Sequence, residues 1–300
     1  MSQEARRCGF IAVIGAPNAG KSTLVNALVG AKVSIVTPKA QTTRMRVLGI
    51  GLEGASQLVF VDTPGIFAAK ARLERAMVAA AWAGAGEADL VLLTVDARRG
   101  LDAATAALLE RLKRLSQPVW LALNKLDLVR PPALLGLTKV LHEGFAFAET
   151  FMVSALTGNG LADLKRALAA ALPQGVWHYP EDQLADLPQR LLAAELTREQ
   201  LFLRLHEELP YACLVETDTW QERRDGSVRV EQTVYVRRPG QRAIVLGEGG
   251  QNIKRIGARA RAELERLLQQ RVHLFLHVKL RENWPEERQP YRLLGLDYEA

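Results

Sequence analysis

The eight residues GAPNAGKS, Gly15 to Ser22, constrain this 300-residue chain more than any other stretch, because they follow the apolar run FIAVIG and open the helical pattern STLVNALV. A G-x-x-x-x-G-K-[ST] loop between a strand and a helix lets backbone approach a polyanion closely, since its glycines carry no side chains to obstruct it. Gly15, Ala16, Pro17, Asn18, Ala19, Gly20, Lys21, Ser22 and Thr23 are therefore expected to line a nucleotide phosphate site. Backbone amides would cradle the phosphates, Lys21 would reach the β and γ phosphates, and Ser22 would ligate Mg²⁺.

Such a loop demands an α/β surrounding, and the pattern up to Leu172 supplies one. Six strand candidates, FIAVIG, RVLGIGL, LVFVDT, LVLLTVD, PVWLALN and ETFMVSA, alternate with helical stretches such as RLERAMVAAAWAG, AATAALLERLKRL and LADLKRALAAAL. The expected domain, residues 1–172, is a six-stranded, mostly parallel sheet with helices on both faces; the short EGASQ turn makes one pair antiparallel. The Pro-rich residues 173–186 show neither period and read as a linker. Residues 187–300 read as a smaller α+β domain: helix QRLLAAELTREQLFLRLHEEL, strands YACLVETDTWQER and VRVEQTVYVRR, a loop holding GEGG, helix QNIKRIGARARAELERLLQQ, strand VHLFLHVKL and a tail.

The phosphate loop does not choose its base. NKLD does, because a carboxylate at Asp127 can accept the N1 and exocyclic amino protons of guanine, a donor pair adenine lacks. Asn124 can hold the neighbouring loop and touch the base, and the Lys125 stem can lie along the ring. Ser154, Ala155 and Leu156 follow the next strand, where a backbone amide can meet guanine O6. In DTPG and the residue after it, Asp62 is placed to bind Mg²⁺ through water, Thr63, Pro64 and Ile66 flank the site, and the Gly65 amide can bond the γ phosphate. KAQTTR lies between, and Thr42 or Thr43 can close over Mg²⁺ when a γ phosphate is present, which makes a switch. The metal set is then Ser22, Thr43 and Asp62, and the catalytic set Lys21, Asn18, Thr43 and Gly65. Ile66 can neither orient water nor donate to phosphate.

A second glycine turn, IVLGEGGQNIKRIG, has a basic neighbourhood: Arg223 to Arg281 hold 14 basic and 5 acidic residues, an excess that acidic flanks hide in the net charge of +6. Cys8 and Cys213 lie far apart in different apolar runs, which argues against a disulfide framework or clustered zinc and favours a reduced, cytoplasmic chain. The basic-then-apolar start RRCGFIAVIG reads as a first buried strand rather than a signal peptide. No apolar run reaches the roughly 20 residues that span a bilayer, so any membrane contact would be peripheral.

GAPNAGKSTL, AQTTR, DTPG, NKLD and SAL together resemble the translation-factor-like branch of P-loop GTPases, and within it the Era family. YPEDQL, LAAEL, EELPYA and GEGGQNIKRIG are similar to that family's linker and RNA-binding domain, so the resemblance covers nearly the whole chain. It implies a monomeric GTPase with a type II KH domain whose GXXG turn clamps single-stranded RNA, through Gly247, Glu248, Gly249, Gly250, Gln251, Asn252, Lys254 and Arg255. It also implies 16S rRNA near its 3′ end and the 30S subunit as partners, GTP or GDP with Mg²⁺ as ligands, and K⁺ held through Asn18. Glu248 departs from the family by standing where a basic residue is expected. The rival reading is a GTPase whose second domain binds a protein.

Overall fold

The structure is a computed structural model that describes residues 6–300. The chain divides into two compact units, the first formed by residues up to Val36, Thr43–Asp186 and Tyr291–Ala300, the second by Thr37–Thr42 and Leu187–Pro290.

In the first unit, β1 (Arg7–Ile14), β2 (Val47–Glu53), β3 (Ser56–Asp62), β4 (Leu90–Asp96), β5 (Val119–Asn124), β6 (Thr150–Met152) and β7 (Ala185–Asp186) form one sheet in the order β6-β5-β4-β1-β3-β2-β7. All pairs are parallel except β2 with β3 and β7 with β2. Alternate residues of β1 serve opposite layers. Ile11 and Val13 join one core with Leu24 and Leu28 of α1 (Lys21–Val29) and Leu164 and Leu168 of α5 (Leu161–Ala171). Ala12 and Ile14 join another with residues of α2 (Arg72–Glu87), α3 (Ala103–Leu112) and α4 (Pro131–Gly144). Every residue of β3, β4 and β5 is buried, which is why those runs are nearly continuous in apolar residues rather than alternating. The parallel strands end together at one sheet edge, where ligands of open α/β sheets gather.

Two features of this unit depart from the sequence reading. The sheet has seven strands, because the stretch 173–186 expected as a linker supplies β7 and belongs to the first unit. Backbone bonds hold it where no side-chain period could show: Ile50 N donates to Leu184 O at 2.8 Å, and buried Gln57 accepts from the amides of His178 and Tyr179 and donates to Tyr179 O. The helix α4 was not anticipated, although its opening prolines are acceptable at a helix start, where the missing N–H has no partner to lose.

The second unit contains α6 (Gln189–Arg204), α7 (Leu209–Ala212), β8 (Leu214–Glu222), β9 (Val228–Val236), α8 (Pro239–Leu246), α9 (Gln251–Leu268) and β10 (Val272–Leu280), with sheet order β10-β9-β8. β8 runs antiparallel to β9 and β10 parallel to it. Leu201 of α6, Val245 of α8 and Ile256 of α9 pack with Val234 and Val278 on one sheet face. The helix expected through Leu209 stops at Arg204, and Pro210, which has no N–H to continue the ladder, opens the separate turn α7. α8 fills what reads as loop in the sequence; its eight residues are too few to display a period. The last ten residues group with the first unit instead of the second, since Arg72 lies over the Tyr298 ring at 4.4 Å and Tyr291 meets Tyr298 edge-on.

Candidate functional site

The loop after β1 turns on glycines that nothing else could replace. A Cβ on Gly15, whose φ is 154°, would stand 2.3 Å from Thr94 O, and one on Gly20, φ 92°, would stand 2.3 Å from Asn124 Nδ2. α1 then starts at Lys21 with no side-chain cap, so its first amides, those of Lys21, Ser22 and Thr23, are open to an anion. Lys21 is buried, and its Nζ donates to Gly15 O at 3.2 Å and Ala16 O at 3.1 Å. Burial pulls its pKa down to about 8, against the pull of the nearby Asp62 carboxylate.

Asp62 closes β3 beneath this loop. It is fully buried, and neither carboxylate oxygen has a hydrogen-bond partner. Burial raises its pKa, which the Ser22 hydroxyl, Lys21 and the Ser34 hydroxyl oppose. An unpaired buried carboxylate is costly, so such a group is expected to meet a cation. Ser22 Oγ and Thr43 Oγ1 lie 2.9 Å apart, and Thr43 is buried. Two hydroxyls and an orphaned carboxylate are oxygen donors of the kind Mg²⁺ takes, so the residues fit that ion. The same geometry separates the two switch threonines: Thr42 Oγ1 is engaged with Thr37 Oγ1 and Lys39 O instead.

DTPG packs directly on the phosphate loop. A Cβ on Gly65 would come within 3.1 Å of Pro17 Cα, and Ile66 N donates to Gly15 O at 3.1 Å. Thr63 is structural, its hydroxyl donating to Val13 O. Ile66 is buried in the core with Ala12, Ile14 and Trp82, so its side chain is turned away from the loop. Pro64 connects these two anchored residues.

The base-side residues lie together after β5 and β6. Asn124 ends β5; its Nδ2 donates to Ala19 O at 3.0 Å, and its Oδ1 accepts from the amides of Lys125 and Ala155. The Ala155 amide is thus engaged by Asn124 in this structure. Lys125, at φ 66°, stretches back so that Nζ donates to Asn18 O at 2.7 Å and to Asp96 Oδ2 at 2.6 Å. Ser154 Oγ donates to Asp127 Oδ1 and accepts from Thr157 N, which fixes the carboxylate that would read guanine. Leu156 is exposed, as is Asn18, whose φ is 63°. Asp96 and Arg99 were missed from the sequence. A signal existed: Asp96 ends an apolar strand and pairs in register with Asn124, at the same sheet edge.

In the second unit, α8 and α9 flank a turn with three positive φ values, at Gly247, Gly249 and Gly250. Gly247 is confined, since a Cβ there would meet Asn252 Cβ at 2.8 Å, whereas Cβ atoms on Gly249 or Gly250 would meet nothing within 4 Å. Asn252 is a strut: Nδ2 donates to Ile244 O and Oδ1 accepts from Arg204 Nε. Glu248, Gln251, Lys254 and Arg255 are exposed. Lys254, Arg261, Gly257, Leu274 and Phe275 line a groove of about 350 Å³ between α9 and β10. Trp284 and Tyr291 are each about 1% exposed, so they pack rather than offer stacking faces.

Residues 10–125 match the family model described as 50S ribosome-binding GTPase, and residues 208–285 match that of the KH domain. The chain is 58% identical over 292 residues to GTPase Era of Brucella suis, covering 97% of this chain and 94% of that protein. It is 57% identical over 292 residues to GTPase Era of Rhizobium meliloti, covering 97% and 93%. Among solved structures it is similar to an Aquifex aeolicus Era variant bound to GDP and aluminium fluoride, at 37% identity and TM-score 0.92, covering 96% of this chain and 99% of that one. It is equally similar, at 37% identity and TM-score 0.92 over 97% and 99%, to Era in complex with MgGDPNP and nucleotides 1506–1542 of 16S ribosomal RNA.

Proposed function

The chain belongs to the Era family of GTPases, and we propose from that premise that it is a GTP-driven switch that engages single-stranded 16S rRNA near its 3′ end during assembly of the small ribosomal subunit. One observation carries the RNA half: the relative solved with MgGDPNP and nucleotides 1506–1542 of 16S rRNA matches this chain through both units. The open glycine turn and basic groove of the second unit supply the matching chemistry here, a backbone clamp beside a cleft wide enough for bases.

In this reading the amides at the start of α1 and Lys21 bind and orient the phosphates of GTP, while Asp127, fixed by Ser154, selects guanine. Ser22, Thr43 and Asp62 would hold Mg²⁺, which when bound would neutralise phosphate charge. Thr43 and the Gly65 amide sense whether a γ phosphate is present, which links nucleotide state to residues 37–43. Ile66, buried away from the loop, leaves water orientation to backbone groups and makes intrinsic hydrolysis slow. Asn18, exposed at the loop's tip, would hold K⁺, which when bound would supply positive charge near the phosphates. Hydrolysis is therefore expected to be faster in K⁺ than in Na⁺ at equal ionic strength, with Asn18→Ala erasing the difference but still binding GTP. Equal rates in both salts for the unmodified protein would remove the K⁺ role.

The protein acts as a cytoplasmic monomer. No described helix is long and apolar enough to cross a membrane, so membrane contact through the described helices would be peripheral. The RNA reading is tested by crosslinking and sequencing of bound RNA with GDP and with a non-hydrolysable GTP analogue. Reads concentrated at the 3′ end of 16S rRNA and dependent on the nucleotide are expected. Crosslinks spread evenly over rRNA would overturn the assignment.

A further inference from the structure

We propose that Asp96 and Arg99, which lie outside every nucleotide-binding motif of the sequence, are positioning residues that keep the peptide planes of the phosphate loop turned toward the nucleotide. The proposal rests on reading GAPNAGKS as the phosphate site of GTP.

All five carbonyls from Gly15 to Ala19 accept a hydrogen bond from a side chain. Lys21 Nζ serves Gly15 and Ala16 at 3.2 and 3.1 Å, Arg99 Nη1 serves Pro17 at 3.3 Å, Lys125 Nζ serves Asn18 at 2.7 Å, and Asn124 Nδ2 serves Ala19 at 3.0 Å. A trans peptide is planar, with its C=O and the following N–H pointing in opposite directions. Fixing the carbonyl of Pro17 therefore aims the amide of Asn18 the other way, and fixing that of Asn18 sets the plane of the Ala19 amide, which closes the turn on Ala16 O at 3.3 Å. Amides of such a loop are what a polyphosphate meets, so the set of these planes shapes the cradle.

Two of the four donor side chains depend on Asp96. Its Oδ2 lies 2.6 Å from Lys125 Nζ, and its Oδ1 accepts from Arg98 N at 3.0 Å. Its carbonyl accepts from Arg99 N at 3.0 Å and Gly100 N at 3.1 Å, which forms the turn that aims Arg99 at the loop. Asp102 holds the other side of the Arg99 guanidinium, Nη2 to Oδ2 at 2.9 Å. Asp96 is only 5% exposed, so its carboxylate has little water to fall back on and favours the lysine. The turn after β4 thus braces the phosphate loop from behind, on the side away from the ligand.

The test measures GDP and GMP affinity by calorimetry on the full chain with Mg²⁺, for the unmodified protein and for Arg99→Ala, Arg99→Lys, Asp96→Asn, Lys125→Met and the double variant Asp96→Asn/Lys125→Met. A monophosphate reaches less of the cradle than a diphosphate. Arg99→Ala is expected to weaken GDP roughly tenfold while changing GMP by less than about twofold, and Arg99→Lys to restore most of the loss. Asp96→Asn should weaken GDP strongly in the native background and little in the Lys125→Met background, because the two act through one contact. Unchanged GDP affinity in Arg99→Ala, or equal loss of GDP and GMP with a lowered melting temperature, would overturn the positioning role. If Asp96→Asn fails to fold, the partly exposed Arg99 decides the matter by itself. Unmodified protein that binds no guanine nucleotide would overturn the phosphate-site reading as well.

Discussion

The two glycine turns of this chain look alike in sequence and differ in what surrounds them. In the first, side chains from beyond the loop and from α1 tie the five carbonyls from Gly15 to Ala19, and an added Cβ at Gly15 or Gly20 would run into neighbouring atoms at 2.3 Å. In the second, Asn252 is the main strut, and Cβ atoms at Gly249 and Gly250 would face open space. A closed, pre-braced loop suits a small ligand that ends in phosphate, since most of its peptide planes are already held when the ligand arrives. An open loop suits a polymer that must enter and leave on both sides. Glycine serves close packing in the first and backbone freedom in the second.

The comparison is sharpened most by the closed site's base reader. Asp127→Asn is expected to reverse preference from GTP toward xanthosine triphosphate by about 1,000-fold, because a site built for one hydrogen-bond pattern leaves groups unpaired with another. Calorimetry with both nucleotides checks it, and retained GTP preference would remove Asp127 from the base site. Next, Gly15→Ala should cost about 100-fold in GDP affinity, equivalent to roughly 2.7 kcal/mol, since its Cβ would strike the Thr94 backbone. Normal GDP binding by that variant would mean the first loop is not closed in solution.

In the open loop the same kind of change should do less. Gly250→Asp strains a residue at φ 74°, but crowding plays no part, contrary to what a tight turn suggests, because nothing stands within 4 Å of the new Cβ. Its charge would face RNA phosphates, so RNA affinity should fall about tenfold at matched salt with GTP affinity intact. Filter binding measures it, and equal damage to both ligands would erase the contrast between the loops.

The smallest effect concerns Asp102, which caps α3 through the amide and hydroxyl of Thr105. Burial pushes its pKa up, but those two donors and Arg99 outweigh it and hold the carboxyl below the ordinary range. A depressed folded-state pKa stabilises above the unfolded value and loses that contribution as pH falls through the folded value. Asp102→Ala should therefore cost about 1 kcal/mol at neutral pH in urea melts, with the gap closing in acid below about pH 3.9. A gap that persists in acid would show the cap not to depend on ionisation.

The sequence by itself determined the elements whose signal is local. GAPNAGKS, DTPG, NKLD and SAL each end or follow an apolar strand, so strand, loop and chemistry could be read together, and the second glycine turn announced its helix in the same way. Only the tertiary structure decided the rest. β7 exists because the edge of β2 and the side chain of Gln57 satisfy the backbone of 173–186, and such bonds leave no pattern in residue types. Thr43 rather than Thr42 reaches Ser22 because the loop folds that way, a choice two adjacent threonines cannot express. Asp96 and Arg99 bear on the phosphate loop from some eighty residues away only after parallel pairing brings the ends of β1, β4 and β5 to one edge. Sequence records which groups are available, and long-range pairing decides which of them meet.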